Sequence, residues 1–154
     1  ITVAAKSKKP LLVKKGQFLS PWDVRNIIEK IEHAGNRNII IAERGTSFGY
    51  NMLVSDFRAI LIMKKFGYPV CFDASHSVQL PGGLGTKSGG QKEFIKPLAF
   101  CAVICGADAI FVEVHENPKK ALSDGPNMLN LGELKAFLVK IKKLEELKDN
   151  VERA

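Results

Sequence analysis

Four short apolar runs punctuate the chain, at 11–13, 38–42, 69–73 and 109–114. Each is continuous rather than alternating, the pattern of a strand in a parallel sheet covered on both faces. A segment with helical spacing follows each run. The first is expected to start at Ser20 as N-cap, with Pro21 and Asp23 in its opening turn. It buries Val24, Ile27, Ile28 and Ile31 at spacing i, i+3, i+4, i+7 and ends near Gly35. The second is expected over 52–66, with Leu53, Phe57, Ile60 and Leu61 on one face and Gly67 as its stop. The third carries Phe94, Leu98, Cys101, Ala102 and Cys105 and stops at Gly106. Asn130 is expected to cap the fourth, with Glu133 as its capping-box partner and Leu134, Phe137, Leu138 and Ile141 as its stripe.

The order is βαβαβαβα, which implies parallel strands joined by right-handed crossovers. An open doubly wound sheet and half of a (β/α)8 barrel both satisfy it. The strands release Lys14-Lys15-Gly16-Gln17, Glu43-Arg44-Gly45, Asp73 with His76, and Glu113 with His115. Chemically capable groups therefore stand at the same end of every strand, as at the mouth of a barrel. An open sheet concentrates function at one switch point, usually with a glycine-rich phosphate loop after its first strand. Neither GxGxxG nor a Walker pattern is present. The half barrel is favoured: an α/β chain corresponding to the last four βα units of a (β/α)8 TIM barrel. Residues 1–154 then form the C-terminal half of a single catalytic domain. A half barrel that pairs with a second copy is the variant of this reading.

Composition narrows the class. At 154 residues and 45% hydrophobic, the chain suits one domain with a real core. No apolar run approaches a membrane span, and 1–10 lacks the apolar stretch of a signal peptide. Cys71, Cys101 and Cys105 form neither an even framework nor a CxxC. Buried reduced thiols are expected at Cys101 and Cys105, and with them a cytoplasmic setting. The net charge of +7 lies largely in the lysines of 6–15 and 135–148, the second group being mixed with Glu145, Glu146 and Asp149. Nucleic-acid binding wants clustered cations with interleaved aromatics, so small anionic substrates fit this chain better than a polynucleotide.

Lys14, Lys15 and Arg44 are cations at the ends of neighbouring strands. They could grip one phosphate from two sides, or one of them could form a buried ion pair with Glu43. His76, Glu113 and Asp124 have the chemistry of ligands for a divalent first-row cation. A satisfied histidine with two solvated or capping acids fits their spacing too. His115 either joins them or hydrogen-bonds beside Glu113. The glycine-dense stretch 77–90 is expected to be a lid or a plain flexible connection, with Gln79, Lys87 and Ser88 as its hydrogen-bonding reach. A second turn is expected over 45–51.

Four segments then match something known: VKKGQFLSPWD (13–23), ERGTSFGYNMLVSDFR (43–58), FDASHSVQLPGGLGTKSGGQKEFI (72–95) and FVEVHENPKKALSDGPNML (111–129). In order and spacing they resemble successive motifs of the 3-deoxy-D-manno-octulosonate 8-phosphate synthases (2-dehydro-3-deoxyphosphooctonate aldolases). The likeness extends over nearly the whole chain. It implies the last four βα units of a TIM barrel. The implied reaction is a transferase-type condensation of phosphoenolpyruvate with D-arabinose 5-phosphate, releasing phosphate on the route to the Kdo sugar of lipopolysaccharide. By the same resemblance Lys14 and Arg44 hold the phosphate of phosphoenolpyruvate, and His76, Glu113 and Asp124 bind a divalent metal, these three and Lys14 being the catalytic set. Gln79 and Ser88 belong to the loop closing over the sugar phosphate, and the assembly is a homo-oligomer, a tetramer.

Two positions refine the likeness. Leu12 stands where the family commonly has Asn, and Ser123 before Asp124 matches the metal-dependent branch. That branch takes a fourth ligand, a cysteine, from a region outside these residues, where the metal-independent branch has Asn. The related synthases of the seven-carbon shikimate precursor, which use erythrose 4-phosphate, share the fold, but HSVQLPGG and KALSDGPNML favour the eight-carbon branch. A non-catalytic phosphate-binding half barrel is the reading from a different class.

Overall fold

The computed structural model describes residues 1–82 and 89–153. Its frame is four parallel strands, β1 (Leu11–Lys14), β2 (Ile39–Glu43), β5 (Val70–Asp73) and β8 (Ala109–Phe111), in the order β1-β2-β5-β8. Between them in the chain come α1 (Thr2–Lys6), α2 (Val24–His33), the hairpin strands β3 (Thr46–Gly49) and β4 (Met52–Val54), and α3 (Arg58–Lys64). The short pair β6 (Gln79–Leu80) and β7 (Gly89–Gly90) follows β5, and α4 (Ile95–Ile104) precedes β8. A second short pair, β9 (Val114–His115) and β10 (Leu129–Asn130), leads into α5 (Leu131–Arg153).

The parallel register aligns Lys14 with Ala42, Glu43 with Phe72 and Asp73 with Phe111. All four strands therefore end along one edge, which carries the site. The two central strands are the buried ones: β5 is buried throughout and β2 at four of its five positions. That is why their runs read as continuously apolar. The core joins Ile39, Ile41, Val70 and Phe72 of the sheet to Ile28 and Ile31 of α2, Ile60 and Met63 of α3, and Ile95 and Ala99 of α4. Phe137 of α5 stacks on Phe100 of α4 with ring centroids 5.9 Å apart.

The cap expected at Asn130 holds at the level of single bonds, whereas the helix expected to start at Ser20 starts later, with Asp23 at its N-cap position. Ser20 Oγ donates to Asp23 Oδ2 at 2.6 Å, and Asp23 N returns to Ser20 Oγ at 3.4 Å. The turn they close is tight, with i→i−3 backbone bonds, so the regular α-helix begins only at Val24. Asn130 Oδ1 accepts from Gly132 N at 2.8 Å and Glu133 Oε2 accepts from Asn130 N at 3.3 Å, a reciprocal cap.

Four expectations are corrected. The helix placed over 52–66 is shorter: Met52–Val54 form β4, and the helix is Arg58–Lys64. Tyr50 and Asn51 both have positive φ, +50° and +58°, which turns the chain back on itself and lets β4 pair antiparallel with β3. Leu53 thus belongs to a hairpin, and Leu61 is exposed. The strand placed over 109–114 breaks after Phe111. Glu113 N donates to the Ser75 hydroxyl at 2.8 Å instead of to a neighbouring strand, and 114–115 re-pair with β10. Cys101 is exposed rather than buried, because its position on α4 turns away from the sheet, and Cys105 is half-buried; only Cys71 is enclosed. Leu138 likewise stands half-exposed on α5.

Asp108 fastens the start of β5. Its carboxylate accepts from Val70 N and from Lys64 Nζ, each at 2.8 Å. Burial pushes the Asp108 carboxyl up, but the Lys64 and Val70 hydrogen bonds together outweigh it and hold the group below its ordinary 3.8. A lowered native value adds stability that is complete above the unfolded-state value and is lost as pH falls through the native one. Asp108→Asn is expected to cost about 0.5–1 kcal/mol at neutral pH, since the pair is over a third exposed and solvent-screened. Urea titrations at successive pH values should show that cost shrink as the pH is lowered below the ordinary carboxylate value and through the native one.

Candidate functional site

The site is built on a carboxylate with no solvent exposure. Asp73 closes β5, and its side chain accepts from Lys14 Nζ at 2.7 Å, from His76 Nδ1 at 2.8 Å and from the His76 backbone N–H at 2.9 Å. Burial alone pushes the Asp73 carboxyl up; hydrogen bonds from His76 and Lys14 outweigh it and keep the group below the ordinary carboxylate value. Lys14 Nζ also lies 3.2 Å from His76 Nδ1. With Nδ1–H donating to the carboxylate, that approach is two donors converging on one acceptor rather than a bond between them. Lys14 Nζ further sits 4.3 Å from the centre of the Phe111 ring, a cation–π contact.

With Nδ1 of His76 turned to Asp73, its other ring nitrogen, Nε2, faces Glu113 Oε1 at 3.5 Å. Glu113 stands two residues beyond β8, where the bond from its backbone N–H to Ser75 Oγ holds it. Asp124 reaches the same point from the turn before β10, in a left-handed conformation with φ +53°. One ligand atom from each of His76, Glu113 and Asp124 lies within 4.8 Å of the other two. One imidazole nitrogen whose partner nitrogen is held by a carboxylate, with two half-buried carboxylates, is a donor set suited to a divalent first-row cation. These three residues therefore fit such an ion.

A second string of bonds enters from β2. Arg44 Nη2 donates to Gln79 Oε1 at 3.1 Å, and Gln79 Nε2 donates to Asp124 Oδ1 at 3.1 Å. Gln79 thus spans a strand-end cation and a member of the carboxylate cluster. Nε of Arg44 is buried and has no hydrogen-bond partner among the described residues.

The structure brings Lys14, Arg44, His76, Gln79, Glu113 and Asp124 into one connected network. Lys15 is separated from it. It is 1% exposed, and its nearest acid is Glu43, at 3.7 Å. The buried ion pair, one of the two options open for these cations, is therefore its state. His115 does not join the cluster; its Nδ1 accepts from Asn117 N at 2.9 Å. Ser88 and Lys87 lie outside the described residues. Asp73 and Ser75 are the participants whose roles sequence reasoning did not assign. The signal for Asp73 was its place three residues before His76 at a strand end, a spacing that lets a carboxylate reach back to an imidazole. Nothing in the sequence marks Ser75.

The sequence model described as the DAHP synthetase I family matches residues 1–150. The chain belongs to that family. Relatives named 2-dehydro-3-deoxyphosphooctonate aldolase are more than half identical to it. One from Cyanothece sp. is 56% identical over 90% of this chain and 50% of its own length. Those from Trichlorobacter lovleyi and Geotalea uraniireducens are 56% identical over 94% and 96% of this chain, and over 53% and 54% of their own lengths. The chain spans about half the length of the curated relatives it matches. The α/β fold with its parallel sheet agrees with membership of this family. Among the described residues, no helix is long and apolar enough to cross a membrane.

Gly125 follows Asp124, and a Cβ there would overlap the Pro118 carbonyl oxygen. Gly125→Ala is expected to displace the Asp124 turn. Titration with Mn2+ should show the affinity of the cluster reduced by roughly tenfold or more, with a fall in stability of about 1–3 kcal/mol in denaturant unfolding.

Proposed function

We propose that these residues form the C-terminal half of the active site of a synthase that condenses phosphoenolpyruvate with D-arabinose 5-phosphate to give 3-deoxy-D-manno-octulosonate 8-phosphate and phosphate. The fold unit is the last four βα units of a (β/α)8 barrel, one half of a single catalytic domain. The observation that carries the reading is the junction of two strand-end cations with a histidine–dicarboxylate cluster, through Asp73 on one side and Gln79 on the other. Family membership and the shared name of the relatives support the choice of reaction.

Each group has a task in this chemistry. Lys14 and Arg44 hold the phosphate of phosphoenolpyruvate, Arg44 through its fork and Lys14 as a point charge. Their positions fix the enol so that its C3 faces the aldehyde carbon of the pentose, which replaces a bimolecular encounter by an oriented one. The new bond joins C3 to that carbon, water adds at C2, and the C2–O bond to phosphate breaks. The phosphate leaves against the positive charge of the same two side chains. His76, Glu113 and Asp124 hold a divalent cation, whose Lewis acidity, when it is bound, polarises an oxygen of the reactants. Asp73 keeps His76 in the tautomer that presents Nε2. Gln79 keeps Arg44 and Asp124 in register, and Ser88 is proposed, with Gln79, to contact the sugar phosphate.

The family model's own description favours one other reading, the seven-carbon synthase using erythrose 4-phosphate. A chain of the relatives' full length bearing these residues decides between them. It is expected to release phosphate from phosphoenolpyruvate when arabinose 5-phosphate is added, and to do so poorly with erythrose 4-phosphate; the reverse preference assigns the shorter sugar. Glu113→Gln and Asp124→Asn are each expected to weaken divalent-cation binding on the order of 100-fold and to depress turnover in parallel. Full activity after exhaustive chelation would remove the metal from the account.

A further inference from the structure

Behind the proposed phosphate grip lies a charge pair that the reaction itself does not use. Lys15 and Glu43 are each 1% exposed. Burying two charges is costly unless their remaining hydrogen-bonding capacity is met, and here that of Lys15 is met largely by backbone carbonyls. Lys15 Nζ lies 3.2 Å from Leu19 O, 3.3 Å from Gly16 O, 3.3 Å from Gly45 O and 3.1 Å from Thr46 Oγ1. The Glu43 carboxylate accepts from Gly45 N at 2.7 Å, while its Oε2 faces the ammonium without a hydrogen bond of its own. Burial pushes the Glu43 carboxyl up, and the Lys15 charge only partly offsets this.

These contacts join two loops. One is 16–19, which follows β1, and the other runs from Gly45, after β2, into the start of β3. Ser47 N donates to Gln17 O at 2.8 Å and adds a second link between them. Lys14 precedes Lys15, and Arg44 lies between Glu43 and Gly45. Successive residues of an extended chain point to opposite sides. The inner members of the two dipeptides therefore pair with each other while the outer members, Lys14 and Arg44, reach the network of Asp73 and Gln79.

We propose that Lys15, with Glu43 as its counter-ion, is a positioning residue that sets the separation of Lys14 and Arg44 and thereby the affinity of the site for a phosphate ester. This rests on the phosphate-site reading above. A lysine suits the task because its flexible stem carries a compact charge with three donors, enough to draw several carbonyls from two loops to one point. Loss of that centre lets the loops separate, and a displacement of the order of 1 Å between oriented groups is worth up to about 100-fold in rate.

The test is Lys15→Met in the full-length enzyme, read by phosphoenolpyruvate kinetics, by calorimetric titration with inorganic phosphate, and by melting temperature. The expected result is a rise of about tenfold in KM for phosphoenolpyruvate and a similar loss of phosphate affinity, with KM for the pentose phosphate unchanged. A lower melting temperature with phosphoenolpyruvate KM and phosphate affinity both within twofold of the parent would overturn the proposal. If Lys15→Met does not fold, Thr46→Val decides, since it removes one partner and leaves the charges in place. It is expected to weaken phosphate roughly threefold, and unchanged affinity counts against the proposal. Lys14→Ala and Arg44→Ala separate the two levels. If they leave phosphate affinity intact, the phosphate-site reading fails and the positioning role with it. If they abolish it while Lys15→Met does not alter it, the positioning role alone fails.

Discussion

One buried carboxylate governs the arrangement of this site. Asp73 has no exposed surface, yet it remains a strong acceptor because Lys14 and the His76 side chain and backbone all donate to it. Without it, an ammonium and an imidazole would meet at 3.2 Å with nothing between them to share. With it, the lysine is anchored against the Phe111 face and the imidazole presents a single nitrogen to Glu113. The cost of burying the charge is offset by three hydrogen bonds, two of them from side chains, and the same bonds orient the reactive groups.

The sheet makes that economy available. Parallel strands in register deliver their last residues to one edge, so Lys14, Glu43, Asp73 and the segment after Phe111 arrive together without long loops to carry them. The alternation of side chains then sorts the charges. Lys14 and Arg44 enter the network at the edge, while Lys15 and Glu43 turn inward and bind the loops behind it. Arg44, just after β2, and Asp124, in the turn before β10, are joined through Gln79. The left-handed turn at Asp124 is kept in place by a glycine that no larger residue could replace without meeting the Pro118 carbonyl.

The two central strands were legible because burial on both faces leaves a continuous apolar run, and the helix start at Asn130 because its cap is a local bond. The β3–β4 hairpin was not. Its turn depends on Tyr50 and Asn51 adopting positive φ, and Leu53 and Phe57 have a spacing that a helix would also show. The break in the fourth strand was hidden for a different reason. It is made by Ser75, a residue 38 positions away from its partner Glu113, and no local pattern records such a bond. The site residues were legible as strand-end chemistry, and motif resemblance separated Lys14 from Lys15. Residue type alone could not, because adjacent lysines differ only in the side of the strand they take.

On the proposed reading, one edge of the sheet holds a phosphate between Lys14 and Arg44 beside a divalent cation on His76, Glu113 and Asp124. A crystal structure of a chain of the relatives' full length bearing these residues, soaked with Mn2+ and phosphoenolpyruvate, tests it most directly. The expected result is an anomalous peak among those three ligands, with the phosphate of phosphoenolpyruvate contacted by both Lys14 and Arg44. A phosphate bound away from Lys14 and Arg44, or a cation bound away from His76, would contradict it.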